Sequence, residues 1–273
     1  MKPRQPRLGG LLILSSVLMA STMTPIARAQ NLVHRGLIPS DSIENPTTSE
    51  ANVGDIIRRM IERNRVQREQ LHSYSAVRTY EVQTTDGQVY AQDVIRVDYR
   101  APGRITFDKL YEQGSWIVRH LVFDRLLQSE QETLSGQERR EAAISDENYT
   151  FVFVREEHLG SDRCYVLKVQ PKRADNYLFE GELWIDAGDY GIAKMSGHPA
   201  TRVSFWIDDA NFVREYQKIG DFWLPYRDES SANFRTHGTR VLHVDHTQYV
   251  INSANAMATG TPRVTEAELA AAH

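Results

Sequence analysis

From residue 73 onward the chain repeats one pattern: apolar and polar side chains alternate over a stretch, a short turn follows, and the alternation begins again. A period of two places successive side chains on opposite faces of a strand. SYSAVRTYEVQT (73–84) and QVYAQDVIRVDYR (88–100) flank Thr85-Asp86-Gly87, whose Asp-Gly suits a tight hairpin. GRITFDKLY (103–111) and SWIVRHLVF (115–123) flank Glu112-Gln113-Gly114 in the same way. Further stretches follow at 148–160, 163–171, 177–186, 190–198, 204–220, 221–235 and 240–252, with turns such as Gly160-Ser161-Asp162 and Ala187-Gly188-Asp189 between them. Strand after strand with no helix in each gap argues an antiparallel meander rather than βαβ units. Twisted sheets curl as strands accumulate. The expected fold is therefore α+β, mostly β: a curled antiparallel meander approaching a barrel.

Two segments break the alternation. Between Asn52 and Leu71, Val53, Ile56, Ile57, Met60 and Ile61 recur at helical spacing among charged neighbours, and Asn52 with Asp55 forms a plausible N-terminal cap. One apolar stripe on a charged helix has to lie on something, and the sheet is the available surface. LLQSEQETLSGQERREAAIS (126–145) is rich in Glu, Gln, Arg and Ala and predicts one or two short helices interrupting the sheet.

Residues 1–29 have the build of a cleavable export signal: Lys2, Arg4 and Arg7, an apolar run from Leu8 to Ala20, and Ala27-Arg28-Ala29 before Gln30. That run is too short to cross a bilayer, which takes about 20 residues. No cysteine lies near the expected cleavage point after Ala29, so none is there to carry a lipid anchor. Residues 30–51, polar and with Pro39 and Pro46, are expected to be a flexible linker, 52–252 the folded domain, and the Ala- and Thr-rich 253–273 a disordered tail. Cleavage takes away Lys2, Arg4, Arg7 and Arg28 of the 32 basic residues and none of the 36 acidic ones, leaving a net charge of −8. A net-acidic chain is a poor partner for nucleic acid, whose phosphates need a basic patch. Cys164 is the sole cysteine, so no intramolecular disulfide closes the fold.

No arrangement of residues announces catalysis. No G-x-S-x-G, P-loop, G-x-G-x-x-G or H-E-x-x-H occurs. His243-x-Asp245-His246 is the densest candidate metal cluster, but on a strand His246 points away from the other two. Cys164 sits in an apolar strand, as an inert buried thiol does. No catalytic residue, metal or cofactor is expected.

Aromatic residues recur along the strands, from Tyr80 and Tyr99 to Trp184, Phe222 and Trp223. Either they fill a core against the helix or they line an incompletely filled concave face able to hold an apolar ligand. For the second case the alternation nominates Tyr80, Ile95, Val97, Tyr99, Phe107, Trp116, Phe153, Val166, Leu183 and Ile185. A one-residue slip in any strand moves its nominees to the other face.

RCYVLKVQPKRADNYLFEGELWIDAGDYGIAKMSGHP (163–199) and SFWIDDANFVREYQKIGDFWLPYRDES (204–230) resemble the LolA/LolB-like outer-membrane lipoprotein-sorting superfamily. Leu71-His72-Ser73-Tyr74 followed by Arg78-Thr79-Tyr80 fits the same pattern, and the resemblance spans about residues 52–251. It implies a half-barrel covered on its concave side by helices and a non-enzymatic periplasmic carrier of acyl chains. The partner would be a lipid-like ligand or an acylated lipoprotein. The alternative is an envelope sensor or scaffold that binds a protein partner through the curved sheet.

Overall fold

The computed structural model describes residues 47–133, 141–201, 207–235 and 238–253, with backbone only for 47–52 and a few other segment ends. The expected signal segment, nearly all of the expected linker and residues 254–273 of the expected tail lie outside them. So do 134–140 of the second helical segment and 204–206 of one strand.

Ten strands form one antiparallel sheet: β1 (Ser73–Thr84), β2 (Val89–Arg100), β3 (Arg104–Gly114), β4 (Tyr149–Leu159), β5 (Asp162–Pro171), β6 (Phe179–Asp186), β7 (Ile192–Pro199), β8 (Ile207–Ile219), β9 (Phe222–Phe234) and β10 (Gly238–Ile251). The order across the sheet is β3-β2-β1-β10-β9-β8-β7-β6-β5-β4. Two meanders are thus joined side by side, with β1 pairing β10. The sheet curls without closing, so β3 and β4 remain its edges, and the expected mostly-β half-barrel is the fold.

Burial alternates along β1 and β2, where Tyr74, Ala76, Tyr80 and Val82 face Ala91, Ile95, Val97 and Tyr99 in one core. That core continues across the sheet through Leu242, Val244, Leu224, Met195, Leu183, Ile185, Leu167 and Val169. We call this side the inner face.

Helix α1 (Thr47–Gln70) begins upstream of Asn52, where the sequence had placed its start. Ile56 and Met60 are buried in the inner-face core. The C-terminal half is tied to the turns at one end of the sheet. The Gln67 amide donates to the Trp223 carbonyl (3.0 Å) and accepts from the Trp223 N–H (2.8 Å), as a neighbouring strand would. Arg63 reaches Asp189 (3.4 Å), which also accepts from the Trp223 indole (3.0 Å) and pairs with Lys218 (2.7 Å).

The chain leaves β3 at one edge and must reach β4 at the other, so this connection crosses the open side of the sheet. It opens with helix α2 (Trp116–Val118), a π-helical turn (Arg119–Phe123) and helix α3 (Asp124–Thr133). Phe123, Leu126, Leu127 and Ile144 drop from it into the core.

The expected strand over 115–123 is thus a helix, and three features explain it. β3 runs on to Gly114 and already pairs with β2 along its length. Gly114 turns the chain at φ 79°, and a Cβ there would lie 2.2 Å from the Tyr90 carbonyl oxygen. Ser115 then caps the helix through its side chain, which accepts from the Val118 N–H. Among the described residues no helix is long and apolar enough to cross a membrane.

Candidate functional site

Directly paired residues on neighbouring antiparallel strands project to the same face. The registers therefore define one row across all ten strands: Glu112, Asp93, Tyr80, Val244, Asp228, Arg214, Met195, Leu183, Leu167 and Phe153. The β4–β7 end of the row is apolar. Its centre and its β3 end are charged.

At the centre, Asp228 and Arg214 are 3% and 4% exposed and directly opposed. Arg214 donates to both oxygens of Asp228, with Nη2 at 3.0 Å from Oδ2. His246 Nε2 lies 2.9 Å from the same Oδ2, so this nitrogen carries the proton. Burial works against charge on Asp228, but Arg214 and then His246 outweigh it and hold the carboxyl at about 2. Burial pushes the His246 imidazole below its ordinary value; Asp228 opposes that shift, and Arg78 and Arg214 reinforce it.

One register step away, Arg78 pairs across the strands with His246. Its guanidinium donates to Glu130 on α3 at 2.6 and 3.0 Å and to the hydroxyls of Tyr80 and Tyr74, both at 3.3 Å. The inner face thus carries two guanidiniums matched by two carboxylates. One of the four groups comes from the crossing helix. A forked, charge-assisted pair of this kind fixes orientation as well as distance.

At the β3 end Asp93 is fully buried, and among the described residues neither of its oxygens has a partner at hydrogen-bond geometry. Its nearest cations are Lys109 at 3.5 Å and Arg119, on the π-helical turn, at 3.7 Å. Lys109 is closer to Glu112 (2.8 Å) and Asp124 (2.9 Å). Burial pushes the Asp93 carboxyl up, since these partners offset only part of the lost hydration.

The residues nominated from sequence are distributed as follows. Tyr80, Ile95, Val97, Tyr99, Leu183 and Ile185 come together in the inner-face core, with Phe107 and Phe153 half-buried against it. Val166 does not join them. It sits in a small cluster with Cys164, Trp184, Ala193 and Trp223 on the other side of the sheet. Trp116 lies on α2 and is 68% exposed.

Sequence reasoning passed over Arg78, Asp93, Glu130, Arg214, Asp228 and His246 as members of one face. The signal was present for Arg78, which falls in phase with Tyr74, Ala76, Tyr80 and Val82.

The His243-x-Asp245-His246 triplet divides between faces: His246 is buried on Asp228, while Asp245 accepts from Arg227 (2.6 Å) and His243 lies near Glu229 (3.7 Å). Among the described residues no three His, Cys, Asp or Glu side chains stand close enough to hold a metal ion. Burial pushes the Cys164 thiol up to about 11, far from a reactive thiolate.

No family model matches the chain, and no curated protein matches it. Solved structures are similar to it at low identity, three of them as follows. A DUF1329 family protein from Desulfovibrio piger is 12% identical, with 76% of this chain and 97% of that one covered and a TM-score of 0.44. A putative outer membrane lipoprotein-sorting protein domain from Vibrio parahaemolyticus is 11% identical, covering 72% and 92%, at 0.39. A LolA superfamily protein from Nitrosomonas europaea is 10% identical, covering 76% and 97%, at 0.34.

Proposed function

We propose that this chain is a non-enzymatic, exported binding protein. It would hold acyl chains or another lipid-like ligand against the inner face of its half-barrel, as a carrier of the lipoprotein-sorting kind. The observation that carries this reading is an inner face that is apolar on either side of its charged centre and is joined to a crossing helix by a forked ion pair, Arg78–Glu130. Parting that pair would free α3, whose Leu126 and Leu127 sit in the inner-face core, and expose apolar surface to a ligand. Apolar binding needs such a surface and few polar groups to orient the guest. The sequence resemblance over residues 52–251 points the same way. Residues 1–29 would be removed on export, placing a net-acidic domain of residues 52–252 in the periplasm.

The test is native mass spectrometry of the chain purified from envelopes of the cell that makes it. Retained lipid mass supports the reading, and a protein that arrives bare and binds no acyl probe sinks it. One observation favours the second reading, a sensor or scaffold for an envelope protein. Trp116, Ile117 and Leu121 are 68%, 50% and 51% exposed on adjoining helical turns, as an interaction surface would be. In that case crosslinking in cells traps a discrete protein partner while the inner face stays empty.

A further inference from the structure

The two guanidiniums at the centre of the inner face hold their carboxylates in different ways. Asp228 is fixed in the sheet, directly opposite Arg214. Glu130 is carried by α3, in the segment that crosses the open side, and would leave with it. Arg78 itself stays in the sheet floor and is only 4% exposed. A buried guanidinium that loses its carboxylate is a stranded charge, which is strongly unfavourable. Whatever enters beneath α3 therefore either brings an anion to Arg78 or leaves it bare.

The surroundings of Arg78 suit a carboxylate. Its Nη1 and Nη2 address the two oxygens of Glu130 at 2.6 and 3.0 Å, the fork that a planar carboxylate fits. Its Nε is buried and, among the described residues, has no hydrogen-bond partner. The Tyr80 and Tyr74 hydroxyls accept from the same guanidinium. Burial pushes both phenols up, so each keeps a proton that it can donate to an anion. Directly across the strands from Arg78 stands Ile95, fully buried in the apolar core. The part of the crossing segment that fills this place has the outline of a fatty acid: the Glu130 carboxylate, with Leu127, Leu126 and Phe123 buried behind it.

We infer that Glu130 occupies the place of a ligand's own carboxylate, and that the half-barrel takes a single-chain lipid headed by a carboxylate, a fatty acid in its simplest form. The head displaces Glu130 from Arg78, and the chain replaces Leu126 and Leu127 on the inner face. This rests on the acyl-binding reading proposed above and narrows its ligand. One ion pair is exchanged for another, so Arg78 is matched before and after binding. Selectivity follows from what a neutral lipid lacks. An alcohol or an ester with the same chain would leave the guanidinium without its anion, a penalty that works against the wrong ligand.

Calorimetric titration of the purified, delipidated chain with dodecanoate, dodecanol and methyl dodecanoate tests this. The native protein is compared with Glu130→Gln and with the double variant Arg78→Met, Glu130→Leu. The double variant strands no buried charge, and so stands in for Arg78→Met alone. The native chain should favour dodecanoate over either neutral ligand by about tenfold or more, close to 1.4 kcal/mol per tenfold. Glu130→Gln should tighten dodecanoate further, because the head no longer competes with a resident carboxylate. In the double variant the preference should vanish. If none of the three ligands binds, the acyl-binding reading fails and this inference with it. If the native chain binds all three equally, that reading stands and the inference is overturned. A preference that survives in the double variant overturns it too, since Arg78 is then not the source.

Discussion

Glu130, carried by the helix that crosses the open side of the sheet, grips Arg78 in the sheet floor through both carboxylate oxygens, at 2.6 and 3.0 Å. Both side chains are nearly buried, at 5% and 11% exposed. Their attraction has to outweigh the cost of taking two charges out of water, and removing one leaves the other stranded. Glu130→Gln or Arg78→Met should therefore each cost about 3–5 kcal/mol, whereas the double variant Arg78→Met with Glu130→Leu should recover most of that loss. Urea denaturation of the four proteins gives the double-mutant cycle. An additive result would mean that the pair is not coupled.

The Asp228 cluster makes stability fall with acid in two stages. His246 is held neutral with a depressed pKa, so below the unfolded value of about 6.5 the unfolded chain takes up a proton that the folded one resists, and stability drops. Asp228, held at about 2, contributes stability above its unfolded value of about 3.9 that is lost as the pH falls toward 2. His246→Gln should flatten the first stage, between roughly pH 7 and 5, and leave the second in place. Unfolding free energies measured across that range decide it, and an unchanged slope would remove His246 from the account.

Asp93 should behave in the opposite sense. Its carboxyl is pushed up by burial, so ionised Asp93 costs the folded state stability at neutral pH, and the cost appears as pH rises from about 3.9 through the raised value. Asp93→Asn should stabilise the protein at pH 7, by about 1 kcal/mol or more, because a buried charge that Lys109 and Arg119 compensate only in part is relieved. The gain should shrink at pH 4. Thermal melts at both pH values measure it, and destabilisation at pH 7 would show that Lys109 and Arg119 depend on the carboxylate more than burial costs it.

Gly191 lies under the Trp223 indole, and a Cβ there would stand 2.1 Å from two ring atoms. Gly191→Ala should displace Trp223 and with it the anchorage of Gln67 and Arg63 on α1, costing about 1–3 kcal/mol by overpacking. Tryptophan fluorescence should shift with the loss. Native-like fluorescence and stability would mean that the ring has room to move.

All ten strands were legible because β-branched and aromatic alternation survives wherever one face is wet, as along β1 and β2. β5 defeated the phase. Cys164 and Val166 are buried on the outer side and Leu167 and Val169 on the inner, so the first half of the strand is apolar on both faces; only Lys168 and Gln170, in phase with Val166, mark the outer face, and Val166 was assigned to the wrong neighbours. Residues 115–123 mimicked a strand because Trp, Ile, Val and Phe suit either structure at this length. The deciding signals were the Gly114 turn and the Ser115 cap. The charged centre was hidden for another reason. Arg78 meets Glu130, 52 residues away, and Arg214 meets Asp228 across a hairpin. Local spacing cannot pair residues that only the register of the sheet brings together.

The central claim is an inner face that accepts acyl chains beneath a crossing helix held by Arg78 and Glu130. Titration of the purified, delipidated chain with a fluorescent fatty-acyl probe tests it most directly, with the native protein beside Glu130→Gln. The account predicts saturable binding, displacement by an unlabelled fatty acid, and faster uptake by Glu130→Gln, in which the helix parts more easily. Fluorescence that never saturates, or binding that persists unchanged when Ile95→Asp puts a charge on the inner face of a still-folded chain, would contradict it.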